Sequence, residues 1–156
     1  MSTSETSGLV TDLAGLQDLA GKHAGYTEWR VMEQERVNQF ADATDDHQYI
    51  HVDPERAKET PFGGTIAHGF LTLSLLAPIT GELVTVSDAK TGLNYGLDRV
   101  RFPSPLPVGA EWRGGAEVVE VSDVPGGKQM KLKVTVEVKG SEKPAMVAES
   151  LVRLYG

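Results

Sequence analysis

The fold is decided by residues 62–81, which read FGGTIAHGFLTLSLLAPITG. This stretch opens on a glycine turn, continues with Thr65 as a good N-cap, and then carries apolar residues on every side of a predicted helix over residues 66–80. A helix that is apolar all round must be enclosed by the rest of its domain. At 15 residues it is too short to span a bilayer, and Gly81 suits a left-handed cap at its end. We therefore predict a central, enclosed helix.

The sequence after this helix favours β-structure. Four segments alternate Val and Leu with polar residues, and turns rich in Gly, Pro and Asp separate them. With an earlier strand they predict an antiparallel sheet of about five strands. We therefore expect an α+β fold in which this sheet wraps around the helix of residues 66–80. The predicted strands are residues 26–31, 92–102, 111–121, 128–138 and 145–154.

The sequence before the central helix predicts shorter elements. Residues 1–8 are small and polar, and we expect them to be disordered. Leucines at helical spacing predict an amphipathic helix over residues 9–20, and a second helix is predicted over residues 33–43. Asp53-Pro54-Glu55 is typical of a further helix start. The length of the chain indicates one domain over residues 9–156.

The charge and cysteine content of the chain argue against several kinds of binding partner and chemistry. Lys and Arg number 15 against 22 Asp and Glu, a net charge of −7, which argues against binding to nucleic acid or to an anionic membrane. The chain contains no cysteine, so disulfides and thiolate chemistry are excluded. The first residues lack a signal-peptide pattern, and we expect a cytoplasmic protein.

Asp46 and His51 are the candidates for acid/base chemistry. On a regular helix, residues five apart would point about 140° away from each other, but the predicted break between two helices allows them to converge on one water molecule. Alternatively, Asp46 only ends a helix and His51 is a packed histidine. His47, Asp45 and Asp53 lie nearby, yet the spacing fits neither the zinc nor the calcium patterns, so we predict no metal site.

His68 and Gly69 lie in the first turn of the predicted central helix. Backbone N–H groups there lack intrahelical partners, and the helix dipole is positive at this end. The N–H of Gly69 could stabilise negative charge on a carbonyl oxygen when the adjacent carbon becomes enolate-like. Alternatively, the glycine only permits close packing against the sheet.

Taken together, these motifs resemble the signature of the MaoC-like R-specific enoyl-CoA hydratases. Residues 40–102 are more similar still to the nodulation-protein-N-like hydratases of bacteria. Four positions depart from the family pattern, with Asp45 in place of glycine, Gln48 in place of asparagine, and Tyr49 and Thr65 in place of prolines. The matching residues are Phe40-Ala41, Asp46, His51-Val52-Asp53-Pro54-Glu55, Phe62, Ile66 and His68-Gly69.

The resemblance implies a hot-dog fold, a homodimer and no cofactor. It also implies addition of water across the trans-2 double bond of an enoyl thioester, giving the (3R)-hydroxyacyl thioester. Asp46 and His51 match the catalytic pair, and Gly69 matches the residue whose amide holds the thioester oxygen. Gln48, which keeps an amide, and His68 are predicted to position the substrate.

Two other functions are compatible with such a fold. A hot-dog acyl-CoA thioesterase would use an acidic residue on the central helix, and residues 66–80 contain none. A non-catalytic subunit that binds acyl thioesters would have no need of an acid/base pair. The sequence leaves open the acyl chain length and the carrier, which is either coenzyme A or an acyl-carrier protein.

Overall fold

The computed structural model describes residues 8–156, so the expectation for residues 1–7 lies outside the described part of the chain. Within residues 8–156, no helix has both the length and the apolar character needed to cross a membrane. The elements follow one another as β1 (Leu9–Thr11), a 3₁₀ helix (Leu16–Leu19), β2 (His23–Tyr26), β3 (Arg30–Val31), α1 (Gln34–Thr44), α2 (Tyr49–Val52), α3 (Pro54–Ala57), α4 (Gly69–Ser74), α5 (Leu76–Leu83), β4 (Val84–Val86), β5 (Thr91–Arg101), β6 (Glu111–Val124), β7 (Gly127–Val138) and β8 (Met146–Tyr155).

The main sheet has six strands, in the order β2-β6-β7-β8-β5, with β3 also paired to β6. All of these pairings are antiparallel. The four long strands predicted from the sequence are present, and the α+β class with an antiparallel sheet packed on a helix is confirmed. The single predicted strand over residues 26–31 is instead two short strands, β2 and β3, which both pair with β6.

The concave face of the sheet packs against α5. Trp112, Leu132 and Val134 on this face are fully buried, as is Ile79 on the helix. The contact is so close at Gly114 that a Cβ atom there would lie 2.4 Å from the Ile79 side chain. Glycine is therefore required at this position for the helix to approach the sheet.

The central helix differs from the predicted one. It begins at Gly69 rather than at residue 66, because the N–H groups of Ile66 and Ala67 donate to the carbonyls of Ile50 and Leu106 and hold this segment extended. A break at Leu75 divides it into α4 and α5, and α5 continues past Gly81 to Leu83, so Gly81 is not the cap. The break follows from the missing N–H of Pro78, which cannot donate to the carbonyl four residues earlier.

The central helix is also not enclosed on all sides by its own chain. Phe70 is 70% exposed, and Ala77 and Gly81 are exposed as well. The prediction of a helix wrapped all round by the domain is therefore wrong for a single chain. The uncovered side is continuous with apolar residues of β5, whose other edge has no strand partner within residues 8–156.

The predicted helix over residues 9–20 is likewise wrong. Leu9–Thr11 form β1, which pairs in parallel with β4, and only Leu16–Leu19 are helical, as one 3₁₀ turn. The Asp12 carboxylate accepts a hydrogen bond from the N–H of Gly15 at 2.8 Å, which favours a turn between them. Leu16 and Leu19 are both buried, and their three-residue spacing suits a 3₁₀ turn as well as an α-helix.

Candidate active site

The segment between α1 and α2 carries Asp46. Helix α1 ends at Thr44, and Asp45 follows in the left-handed conformation with φ +60°. The N–H of Asp46 donates back to the carbonyl of Ala41 at 3.1 Å. This turn reverses the chain, and its left-handed position explains why the family pattern has glycine where this chain has Asp45.

His51 lies on the one-turn helix α2 and is 7% exposed. Its Nδ1 lies 2.7 Å from the backbone carbonyl oxygen of Ile66. Since a carbonyl oxygen only accepts hydrogen bonds, Nδ1 carries the hydrogen and donates it. In the neutral ring Nε2 therefore has a free lone pair, which is the arrangement of a general base.

The bend between α1 and α2 brings the predicted pair together. One ligand-type atom from each of Asp46, His51 and His68 lies within 4.8 Å of the others. His51 and His68 are buried, whereas Asp46 is exposed and faces solvent from one side. Asp46 and His51 therefore lie close together, as predicted from the sequence, while a shared water molecule stays a prediction.

Burial lowers the pKa of His51 below its usual value of 6.5. The hydrogen bond to the Ile66 carbonyl opposes this shift, His68 adds to it, and the Asp46 carboxylate opposes it more weakly. Because burial dominates, His51 is uncharged near neutral pH. An uncharged imidazole with a free Nε2 is able to accept a proton from water.

The same three residues do not have the geometry of a metal site. The rings of His51 and His68 are stacked, with centroids 3.9 Å apart and an angle of 24° between their planes. The lone pair of an imidazole nitrogen lies in the plane of its ring. Because the planes of two stacked rings are nearly parallel, their lone pairs do not meet at one ion about 2.0–2.1 Å from each nitrogen. The cluster is therefore better suited to acid/base chemistry.

Gly69 is the first residue of α4, so its N–H has no partner within the helix. A Cβ atom at this position would lie 3.4–3.5 Å from the ring of Phe102, which is ordinary contact. Phe102 therefore covers one side of Gly69, while the glycine itself remains exposed. The backbone N–H of Gly69 thus has no partner within the helix, and it follows directly after His68, which lies close to Asp46 and His51.

The other residues predicted for this region have different surroundings. The N–H of Gln48 points at the Asp46 carboxylate at 3.4 Å, and its carbonyl accepts from the N–H of His51 at 3.0 Å. His47 turns away and contacts Asp42 at 2.9 Å. His68 is almost fully buried, with its Nε2 3.0 Å from the backbone oxygen of Asp46.

Two residues that were not predicted to belong to the site, Gln34 and Thr65, hold α2 in place. The side-chain amide of Gln34 donates to the backbone oxygen of His51 at 2.7 Å and accepts from the Thr65 hydroxyl at 2.6 Å. Thr65 was predicted as a helix cap, but its hydroxyl instead bridges to α1. Gln34 lies among solvated residues of α1, and no spacing in the sequence distinguishes it from its neighbours.

Comparison with known proteins places the chain in a family. Residues 16–140 match the MaoC like domain. The chain is 53% identical over 145 residues to 3-hydroxyacyl-thioester dehydratase Z of Mycobacterium tuberculosis, covering 92% of this chain and 94% of that protein. It is 46% identical over 140 residues to Nodulation protein N of Rhizobium leguminosarum bv. viciae, covering 87% and 86%.

Comparison with a solved structure supports the same family assignment. The (R)-hydratase of A. caviae involved in PHA biosynthesis superposes with a TM-score of 0.72 at 25% identity, covering 86% of this chain and 96% of that chain. The protein therefore belongs to the MaoC-like dehydratase family, whose members are hydro-lyases, and it has the predicted hot-dog fold. The resemblance inferred from the motifs is confirmed.

Proposed function

We propose that this protein adds water reversibly across the trans-2 double bond of an enoyl thioester, giving the (3R)-hydroxyacyl thioester. One observation carries the proposal. One ring nitrogen of His51 and the carboxylate of Asp46 lie within 4.8 Å of each other, and the N–H of Gly69, which has no partner within its helix, follows directly after His68 of the same cluster. Addition of water to an enoyl thioester requires a base that takes a proton from water, a group that returns a proton to C2, and an oxyanion donor, and His51 that has taken the proton of water supplies the second of these.

In the proposed mechanism, water held between Asp46 and His51 gives up a proton to His51 Nε2 as its oxygen bonds to C3. The electron pair of the double bond moves toward the thioester carbonyl, and the N–H of Gly69 stabilises the charge on that oxygen. The Asp46 and His51 pair then returns a proton to C2 on the same face. Atoms and charge balance, since one water molecule is consumed and the pair ends in its starting state.

The acyl chain has room beside the central helix. A cavity of about 480 Å³ begins at Leu73, one turn after Gly69, and lies between α4–α5 and strands β5 and β8. It adjoins a second cavity of about 410 Å³, and Ala77 and Ser150 line both. We propose that the thioester oxygen binds at Gly69 and that the acyl chain extends along these cavities, which would accept chains longer than four carbons.

The names of the relatives support this reaction class. The 53% identical protein is named a 3-hydroxyacyl-thioester dehydratase, and the structural neighbour at 25% identity is an (R)-hydratase. Dehydration and hydration are the two directions of one reaction, so both names fit the proposal. Coenzyme A and acyl-carrier protein thioesters both remain candidates for the carrier, and a cytoplasmic location stays a prediction from the sequence.

The central helix has no carboxylate near Gly69 that could serve a thioesterase mechanism. Helix α4 contains no carboxylate, and the one on α5 is Glu82, near the end of α5 and far along the helix from Gly69. Glu82 is bound in an ion pair with Arg30. A thioesterase base would need to lie beside the thioester carbon, where we propose that the Gly69 N–H binds the thioester oxygen.

We further propose that two copies associate through the free edge of β5. Three large apolar side chains of this edge strand are exposed, and so is Phe70 on the adjoining helix. An edge strand of 11 residues with such side chains is a site for pairing with another strand, and a two-fold pairing of identical edges closes on itself. The three side chains are Leu93, Tyr95 and Leu97.

The function is tested by incubating the protein with crotonyl-CoA and with longer trans-2-enoyl-CoA thioesters. Loss of the enoyl-thioester absorbance without release of free thiol, and formation of the (3R) product on a chiral column, would support the proposal. Release of free thiol would support a thioesterase. No reaction with any of these thioesters, or with the corresponding carrier-protein thioesters, would contradict the proposed function.

A further inference from the structure

The side chain of His68 lies against His51 and the backbone of Asp46 and is shielded from solvent. Its side chain is 2% exposed. The ring stacks on His51 on one side, at 3.9 Å, and contacts the ring of Phe40 at 4.8 Å with a 52° tilt. Its Nε2 lies 3.0 Å from the backbone oxygen of Asp46. One buried side chain thus contacts both members of the proposed acid/base pair.

The hydrogen bond defines how His68 is used. The carbonyl oxygen of Asp46 only accepts, so His68 Nε2 carries the hydrogen and donates it. In the neutral ring Nδ1 then has a free lone pair, and this atom is buried without a partner among residues 8–156. His51 has the opposite tautomer, with its hydrogen on Nδ1. The two stacked rings therefore differ in which nitrogen is protonated.

A buried acceptor without a hydrogen-bond partner destabilises the folded chain. A phenylalanine would occupy the space between Phe40 and His51 without that cost, but it would leave the Asp46 carbonyl without the Nε2–H donor. The choice of histidine is therefore explained by the hydrogen bond to Asp46 rather than by filling of space. The bond crosses from the start of the central helix to the turn after α1, two segments separated by 22 residues.

We infer that His68 is a positioning residue for the proposed reaction: its Nε2–H fixes the turn that carries Asp46, and its ring supports His51 from one side. This inference rests on the proposed function, since it assigns His68 to the Asp46 and His51 pair rather than to the substrate. Misplacement of a reacting group by about 1 Å is enough to lower a rate about 10²-fold. Loss of the His68 hydrogen bond should therefore lower kcat far more than it raises KM.

Two matched variants separate the two contacts of His68. His68→Gln keeps an N–H donor at similar reach but removes the ring, whereas His68→Phe keeps a ring against His51 and removes the donor. We expect His68→Phe to lose about 10²-fold in kcat with KM nearly unchanged. The kcat of His68→Gln should be about ten-fold higher than that of His68→Phe, because the glutamine keeps the N–H donor. A folded His68→Phe with wild-type kcat, or a loss seen only in KM, would overturn the inference.

A second measurement does not depend on activity. Long-range ¹H–¹⁵N spectra of the imidazole nitrogens should show the hydrogen of His68 on Nε2 and that of His51 on Nδ1. A His68 ring protonated on Nδ1 alone would overturn the inference even if the variants were inactive or failed to fold. If the wild-type protein hydrates no enoyl thioester, the proposed function fails, while the tautomer spectra still decide whether His68 holds the Asp46 turn.

Discussion

His51 combines burial with one strong hydrogen bond. Burial lowers the pKa of its imidazole, and the Ile66 carbonyl oxygen fixes which nitrogen keeps the hydrogen. The ring therefore keeps a lone pair on Nε2, and it lies close to the Asp46 carboxylate. Sequence spacing could predict that these two groups meet, but it could not predict the tautomer, because the Ile66 carbonyl is contributed by a segment 15 residues away.

This lowered pKa predicts how stability depends on pH. Between the folded-state pKa and 6.5, the unfolded chain binds a proton at His51 that the folded chain does not, so stability rises with pH in this window. The free energy of unfolding should therefore not depend on the titration of His51 above pH 6.5. As the pH falls below 6.5 toward the folded-state pKa, the free energy of unfolding should decrease. Urea unfolding at pH 7.5 and at pH 5.5 measures the effect.

The control for this prediction is His51→Gln, which cannot titrate. The wild-type protein should lose more free energy of unfolding than His51→Gln between the two pH values. Equal losses would show that burial does not shift the titration of His51. The titratable groups that act on His51 within residues 8–156 are His68 and Asp46, and both are retained in the variant.

Asp45 shows how a backbone requirement can be hidden in a sequence. The sequence shows only that an aspartate stands where the family pattern has glycine. The structure explains the position by its φ of +60°, a conformation that glycine adopts freely and that aspartate tolerates better than most residues. A single sequence does not reveal φ, so this reason could not be obtained from residue types alone.

At the scale of elements, the start of α4 is where backbone geometry and proposed chemistry meet. His68 has φ −59° and ψ 142°, the extended conformation that a following proline requires, and Gly69 is the first helical residue, where proline is well tolerated. Gly69→Pro would therefore remove the N–H with little effect on the helix. This makes the oxyanion role of Gly69 directly testable.

We expect Gly69→Pro to lower kcat/KM for enoyl-CoA hydration by about 10²–10³ relative to Gly69→Ala. The alanine variant keeps the N–H and places a Cβ in ordinary contact with Phe102. Thermal unfolding checks that both variants are folded. Similar rates in the two variants would remove the N–H of Gly69 from the mechanism.

The central helix illustrates where local patterns are insufficient. Apolar periodicity predicted one helix over residues 66–80, but Ile66 and Ala67 are held extended by carbonyls from distant segments. Pro78 then divides the remainder into α4 and α5. Hydrogen bonds between residues far apart in sequence decide where the helix begins, and such bonds leave no periodic signal. The alternating strands β5 to β8 were predicted within a few residues because their pattern depends only on local side-chain orientation.

At the scale of the whole molecule, the exposed side of the central helix and the free edge of β5 form one surface. The prediction that an all-apolar helix must be covered is not met within one chain, since Phe70 is exposed. A second copy paired along β5 would cover this surface. The apolar pattern of residues 66–80 therefore supports the proposed pairing of two copies.

We expect static light scattering to show a dimer at micromolar concentration. Leu93→Lys, which places a charge on the β5 edge, should shift the equilibrium toward the monomer. The matched control is Val31→Lys, a similarly exposed apolar position on β3 at the other end of the sheet, which should leave the dimer intact. A monomeric wild-type protein would contradict the proposed pairing.

The most direct measurement is kcat/KM for hydration of the best enoyl thioester by variants of the acid/base pair. Asp46→Asn and His51→Ala should each lose at least about 10²-fold while remaining folded, because each removes a group that handles the proton of water. His47→Ala, whose side chain turns away to Asp42, should keep most activity. A wild-type kcat/KM in a folded Asp46→Asn variant would contradict the proposed mechanism. So would loss of hydration activity in His47→Ala together with full activity in His51→Ala.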